Sequence, residues 1–134
     1  GLEGSGKSNV CLFIKKILKQ QKIQKIILVH QPGSTLVGEE IRKLIKTTKN
    51  IKTMKKEVEL LLMYAARVQL VEEIIKPALK KNIWVISDRH DLSSLAYQGG
   101  GLGVNKKLIY TLKKLFLGNL KPDLTIYLDV LPTI

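Results

Sequence analysis

With 134 residues the chain has room for one domain or most of one, and its 45% hydrophobic content can build a core. Its 23 Lys and Arg against 11 Asp and Glu give a formal net charge of +12, but the basic residues are scattered through the chain. No apolar run is long enough to cross a bilayer, the lone Cys11 excludes an intrachain disulfide, and the few aromatics form no stacking series, so neither a membrane nor a nucleic acid is an expected partner.

The chain opens GLEGSGKS, which fits G-x-x-x-x-G-K-[ST] with Gly1, Gly6, Lys7 and Ser8. In such a loop, consecutive backbone N–H groups converge on phosphate oxygens, which demands small residues; Gly4, Ser5 and Gly6 supply them. Residues Gly1, Leu2, Glu3, Gly4, Ser5, Gly6, Lys7 and Ser8 are therefore the candidate ATP-binding segment. Lys7 brings charge to the β- and γ-phosphates, and Ser8 offers a hydroxyl to Mg²⁺. A helix should follow at once, its N-terminus facing the anion. Val10, Phe13, Ile14, Ile17 and Leu18 give it one apolar face, and Cys11 is expected to be a small buried residue on it. The hydrophobic strand that should precede Gly1 is not in the sequence. The expectation is that the chain is cut just after that strand.

The remaining segments alternate. KIILVH (25–30) reads as a strand, QPGST (31–35) as a turn and LVGEEIRKLIK (36–46) as a helix with Leu36, Ile41, Leu44 and Ile45 apolar. Residues 47–55 form a polar connection. A long helix over 56–81 has Val58, Leu61, Leu62, Ala65, Ala66, Leu70, Ile74 and Ile75 as its apolar positions, and Pro77 bends it or starts a second helix. IWVIS (83–87) is a strand, 90–103 a glycine-rich loop, 106–118 a helix closed by Gly118, and LTIYLDV (124–130) a third strand. This order implies one α/β domain: a parallel sheet with helices on both faces, as in phosphate-loop NTPases.

Ligands of such sheets bind at the C-terminal strand ends. Here those ends carry His30-Gln31-Pro32-Gly33 and Asp88-Arg89-His90. Asp88 is the candidate carboxylate for Mg²⁺; the plainer readings are a helix cap or an ion pair with Arg89. In a chain that otherwise writes lysine, Arg42, Arg67 and Arg89 are candidates for bidentate contacts to phosphate or base.

Several stretches, taken together, point to a family. GLEGSGKS (1–8), QPGST (31–35), YAARVQLVE (64–72), IKPAL (75–79), SDRHDLSSLAYQGGG (87–101) and PDLTIYLDV (122–130) closely resemble the bacterial thymidylate kinases, in that family's order. The resemblance implies the nucleoside monophosphate kinase fold and transfer of the γ-phosphate of ATP, with Mg²⁺, to dTMP. It implies that Glu3 lies near the acceptor sugar and metal, that Arg67 reads the thymine edge with residue 63 stacked on the base, and that Arg89 grips the acceptor phosphate. Ser93, Ser94 and Gln98 line the same pocket, and Tyr97 packs against the deoxyribose and excludes a 2′-hydroxyl. Lys7, Asp88 and Arg89 are thus the catalytic set, with Ser8 and Asp88 toward the metal. A cytoplasmic homodimer is implied for the full-length protein.

The chain departs from the family's usual R-E-P-G-G-T with His30, Gln31 and Ser34, has Met63 in place of a stacking aromatic, and Leu102 in place of a glycine-loop arginine. Arg42 has no role by resemblance. The chain also stops before the lid that supplies further arginines, so residues 1–134 alone are expected to be inactive. Two other readings stay open: a deoxynucleoside kinase, and a degenerate remnant that no longer catalyses.

Overall fold

The computed structural model describes residues 6–49, 51–89 and 103–128. Helix α1 (Lys7–Gln20) begins at Gly6, whose φ of 86 lets the loop turn sharply into the first helical residues. Strand β1 (Ile26–His30) pairs in parallel with β2 (Trp84–Asp88), in a register that sets Ile26 opposite Trp84 and His30 opposite Asp88. Helix α2 (Leu36–Lys49) is started by Thr35, whose hydroxyl accepts the Gly38 N–H at 2.8 Å. It runs through Thr48, three residues beyond the end that the sequence suggests, because the Thr48 hydroxyl donates back to the Leu44 carbonyl at 2.8 Å instead of competing with the helix from outside.

Helix α3 (Lys56–Leu70) continues through a π-helical turn (Val71–Ile75) into the short α4 (Lys76–Lys80). In the wide turn the Lys76 N–H reaches back five residues to the Val71 carbonyl. Pro77 supplies the reason. It has no N–H to donate to Glu73, and in a regular α-helix its ring would strike that carbonyl. Helix α5 (Lys106–Phe116) is capped by Asn105, whose side chain accepts the Lys107 N–H at 2.8 Å.

The core forms where α3 and the π turn meet β1 and α5. Leu60, Tyr64, Leu70, Val71 and Ile75 pack with Val29, Val104, Ile109, Leu112 and Leu117. The Tyr64 hydroxyl donates to the Ile109 carbonyl at 3.3 Å, satisfying a polar group that packing has removed from water.

Three expectations need correction. On α3, Leu60 is 0% exposed while Leu61 is 54% and Val58 45% exposed, and Ala65 is exposed too. The buried stripe runs through Leu60, Tyr64, Arg67 and Val71; a polar residue in its middle hid it from a search for apolar spacing. On α1, Phe13 and Ile17 are exposed, no residue is fully buried, and Cys11 is only half-buried. Finally, 124–128 pairs with neither strand, and Leu124, Ile126 and Tyr127 are exposed; residues 129 and 130 lie outside the described residues. An apolar extended run becomes a strand only where a neighbouring strand pairs with it, and among the described residues neither β1 nor β2 pairs with this one.

Leu60→Ala should therefore cost about 2–5 kcal/mol in urea unfolding, because it opens a cavity in the core. Leu61→Ala should stay within about 0.5 kcal/mol of the parent. Equal losses would contradict the burial of this face.

Candidate active site

The parallel register brings both strand ends level. The Gln31 N–H donates to the Asp88 carbonyl at 3.1 Å, extending the ladder one step past the last paired residues. A cleft of roughly 250 Å³ opens there, lined by Ser8, His30, Gln31, Pro32, Arg42, Asp88 and Arg89. Candidates from two distant parts of the sequence thus converge: Ser8 from α1, and the neighbours Asp88 and Arg89 from the end of β2.

The Ser8 hydroxyl donates to Asp88 Oδ2 at 3.1 Å. The other carboxylate oxygen, Oδ1, is buried with no hydrogen-bond partner among the described residues. Two hard oxygen donors side by side, one with an unused acceptor, suit a hard divalent cation. Asp88 also reaches α1 electrostatically. The Cys11 thiol is pushed up from its ordinary pKa, first by burial and then by the Asp88 charge.

Across the cleft, Glu39 gathers three groups. Its Oε1 lies 2.8 Å from His30 Nε2 and accepts the Ser34 N–H at 2.9 Å, while its Oε2 is 3.9 Å from Arg42. The Ser34 hydroxyl in turn accepts the His30 N–H at 2.8 Å. The Glu39 carboxyl is held below its ordinary pKa, chiefly by the Ser34 N–H; burial works in the opposite direction, and His30 and then Arg42 add to the lowering. The folded value lies below the unfolded one. This linkage is therefore at full strength above the ordinary Glu range and is lost as pH falls through the lowered value. Gly33, at φ 138, has no room for a side chain, since a Cβ there would overlap the His30 ring and come within 2.5 Å of Glu39 Oε1.

Arg67 is 1% exposed, and its Nε donates to Gln31 Oε1 at 2.8 Å. Its guanidinium lies 4.7 Å from the centroid of the Tyr64 ring, one turn earlier on α3. Through Gln31, the buried arginine is tied to the cleft wall. Met63, four residues before Arg67, is half-buried and does not line the cleft. Lys7 opens α1 beside Ser8. Gly1, Leu2, Glu3, Gly4, Ser5, His90, Ser93, Ser94, Tyr97, Gln98 and Leu102 lie outside the described residues.

The sequence assigns no role to Glu39 or Ser87, and makes Arg42 a candidate for a phosphate or base contact without a role by resemblance. Arg42 lines the cleft, Glu39 organises its wall, and the Ser87 hydroxyl donates to the Arg89 carbonyl at 2.6 Å. An acid in the first turn of the helix after a strand-end turn was the available signal for Glu39.

A parallel α/β core whose first helix opens at Gly6-Lys7-Ser8, beside an aspartate at a strand end, belongs to the phosphate-loop nucleoside monophosphate kinases. The family can be narrowed further. The family model described as Thymidylate kinase matches residues 1–134, and the chain belongs to that family. It is 66% identical over 134 residues to the thymidylate kinase of Buchnera aphidicola subsp. Acyrthosiphon pisum (strain APS), covering 100% of this chain and 63% of that protein. The thymidylate kinase of Wigglesworthia glossinidia brevipalpis is 49% identical over 132 residues, 98% of this chain and 56% of that protein. Among solved structures, the thymidylate kinase from Ehrlichia chaffeensis superimposes with a TM-score of 0.86 at 33% identity, over 96% of this chain and 67% of that one.

Gln31→Leu should destabilise the protein by about 1–3 kcal/mol in chemical denaturation, because the buried Arg67 Nε–H loses its acceptor. Gln31→Glu keeps an acceptor oxygen and should lose less. A Leu variant as stable as the parent would show that this bond carries no weight.

Proposed function

We propose that this chain forms the nucleotide-binding part of a thymidylate kinase that passes the γ-phosphate of ATP to dTMP, giving dTDP for DNA precursor synthesis. The observation that carries the proposal is the Ser8–Asp88 pair: a phosphate-loop hydroxyl 3.1 Å from a strand-end carboxylate, beside Arg89 in one cleft. The whole activity is proposed for the full-length protein, since the chain spans 63% of the first curated relative's length. Residues 1–134 would form one phosphate-loop kinase domain within it.

Transfer would be direct and in line, with no covalent enzyme intermediate. Lys7 and the loop amides of Gly1–Ser8 hold the donor phosphates. Arg89, at the cleft wall, neutralises charge on the acceptor phosphate and steadies it for attack. The cleft oxygens of Ser8 and Asp88 fit Mg²⁺, which when bound would neutralise charge on the donor phosphates. Arg67, fixed by Gln31, would present its fork to the thymine edge. Ser93, Ser94, Tyr97, Gln98 and Glu3 complete the acceptor pocket in this reading.

A cytoplasmic setting and a homodimer belong to the same proposal. Among the described residues no helix is long and apolar enough to cross a membrane. Exposed Val58 and Leu61 on α3 offer the apolar surface that such a dimer would use.

In the full-length protein, Lys7→Ala should lower turnover by orders of magnitude while leaving the melting temperature within a few degrees of the parent. Unchanged turnover would remove the phosphate-loop assignment.

In steady-state assays, dTMP should be preferred over dCMP, UMP and thymidine. Met63→Phe should lower the KM for dTMP by about tenfold if about 1.4 kcal/mol of stacking is restored. Preference for thymidine would instead indicate a deoxynucleoside kinase, and no turnover of any acceptor a degenerate protein.

A further inference from the structure

We propose that Ser87 is a positioning residue for Arg89, holding the backbone of that arginine in a conformation it would otherwise leave. The inference rests on the reading of Arg89 as the acceptor-phosphate ligand. β2 ends at Asp88, and the next residue, Arg89, has a φ of 77. That is the left-handed region, which glycine adopts freely and a residue with a Cβ avoids. Strain of this kind persists only where neighbouring groups hold it, and it gathers where a side chain must be aimed.

Two hydrogen bonds hold it here. The Gln31 N–H donates to the Asp88 carbonyl at 3.1 Å, which ties the residue before Arg89 to β1. The Ser87 hydroxyl donates to the carbonyl of Arg89 itself at 2.6 Å. The peptide groups before and after the Arg89 Cα are therefore both fixed, and its side chain leaves toward the cleft that it lines. Without the Ser87 hydroxyl, the peptide group after the Arg89 Cα loses this bond. The backbone can then relax to negative φ, which re-aims the Arg89 side chain.

Ser87 does not line the cleft. It precedes Asp88 on the strand, so its side chain leaves the opposite face of the sheet. Its influence on catalysis is routed through the Arg89 backbone, which distinguishes it from the residues that face the substrate. An apolar residue of similar size would fit the strand equally well but could not hold the turn.

The test uses the full-length protein and two double-mutant cycles. In the first, Ser87→Ala should lower kcat/KM for dTMP about five- to tenfold, and Ser87→Thr, which keeps the hydroxyl, should recover most of it. In an Arg89→Ala background, Ser87→Ala should cost nothing further; the same fold loss in both backgrounds overturns the proposal. The second cycle does not depend on the acceptor. Ser87→Ala should lower the melting temperature of Arg89→Gly more than that of the parent, because the parent relieves the strain of the left-handed backbone when it relaxes, whereas glycine occupies that region without strain and has none to relieve. Equal losses there overturn the brace. If the parent fails to phosphorylate dTMP while the melting cycle stays non-additive, the acceptor assignment fails and the positioning role of Ser87 stands.

Discussion

The pairing of His30 with Asp88 across two parallel strands is the constraint on which every feature of the cleft depends. It sets the ends of β1 and β2 level, so that the turn after one and the bend after the other open onto the same space. A slip of one residue would turn Asp88 to the opposite face and bring Ser87 into the cleft. The step from Gln31 N–H to the Asp88 carbonyl guards against that slip, because it continues the ladder into the turn. Arg67 then joins through the side chain of the same glutamine, so one residue ties the register, the turn and the buried arginine together.

The three arginines of this lysine-rich chain all end at or beside the cleft. Arg42 and Arg89 line it, and Arg67 lies buried behind Gln31. A planar fork with fixed donors is worth keeping where geometry matters, and lysine serves elsewhere. His30 lies in the same wall but is engaged by Glu39 and Ser34. Glu39 sits between His30 and Arg42 and offsets part of the positive charge on this side of the cleft.

Much of the fold was legible because local signals agreed with one another. Isoleucine- and valine-rich runs became strands within a residue or two of their expected ends, and Asn105 and Gly6 mark helix starts that their chemistry explains. The face of α3 was not legible, because the helix carries two apolar stripes and the buried one includes Arg67. A charged residue counts against a core position in any apolar tally, yet a hydrogen bond and an aromatic face make burial tolerable here. The run 124–128 misled in the other direction: its composition suits a strand, but pairing is a property of two segments, and neither β1 nor β2 meets it. In the cleft, the approach of Ser8 to Asp88 agrees with the phosphate-loop pattern. The bond between Gln31 and Arg67 joins residues far apart in sequence and had no local signature.

The wide turn between α3 and α4 has a consequence for chain length. A π turn is an α-helical path carrying one surplus residue, taken up without rotating the helix beyond it. Deleting a residue between 71 and 75 would therefore leave Ala78 and Leu79 at nearly the same angle about the helix axis. The same deletion between Leu60 and Arg67 would rotate all later residues by about 100° and pull the stripe away from the core. Pro77 retains the surplus residue, because closing the turn would drive its ring into the carbonyl before it. Tolerance of insertions and deletions along this helix is thus uneven: the permissive point is the π turn, and it is coupled to the identity of residue 77.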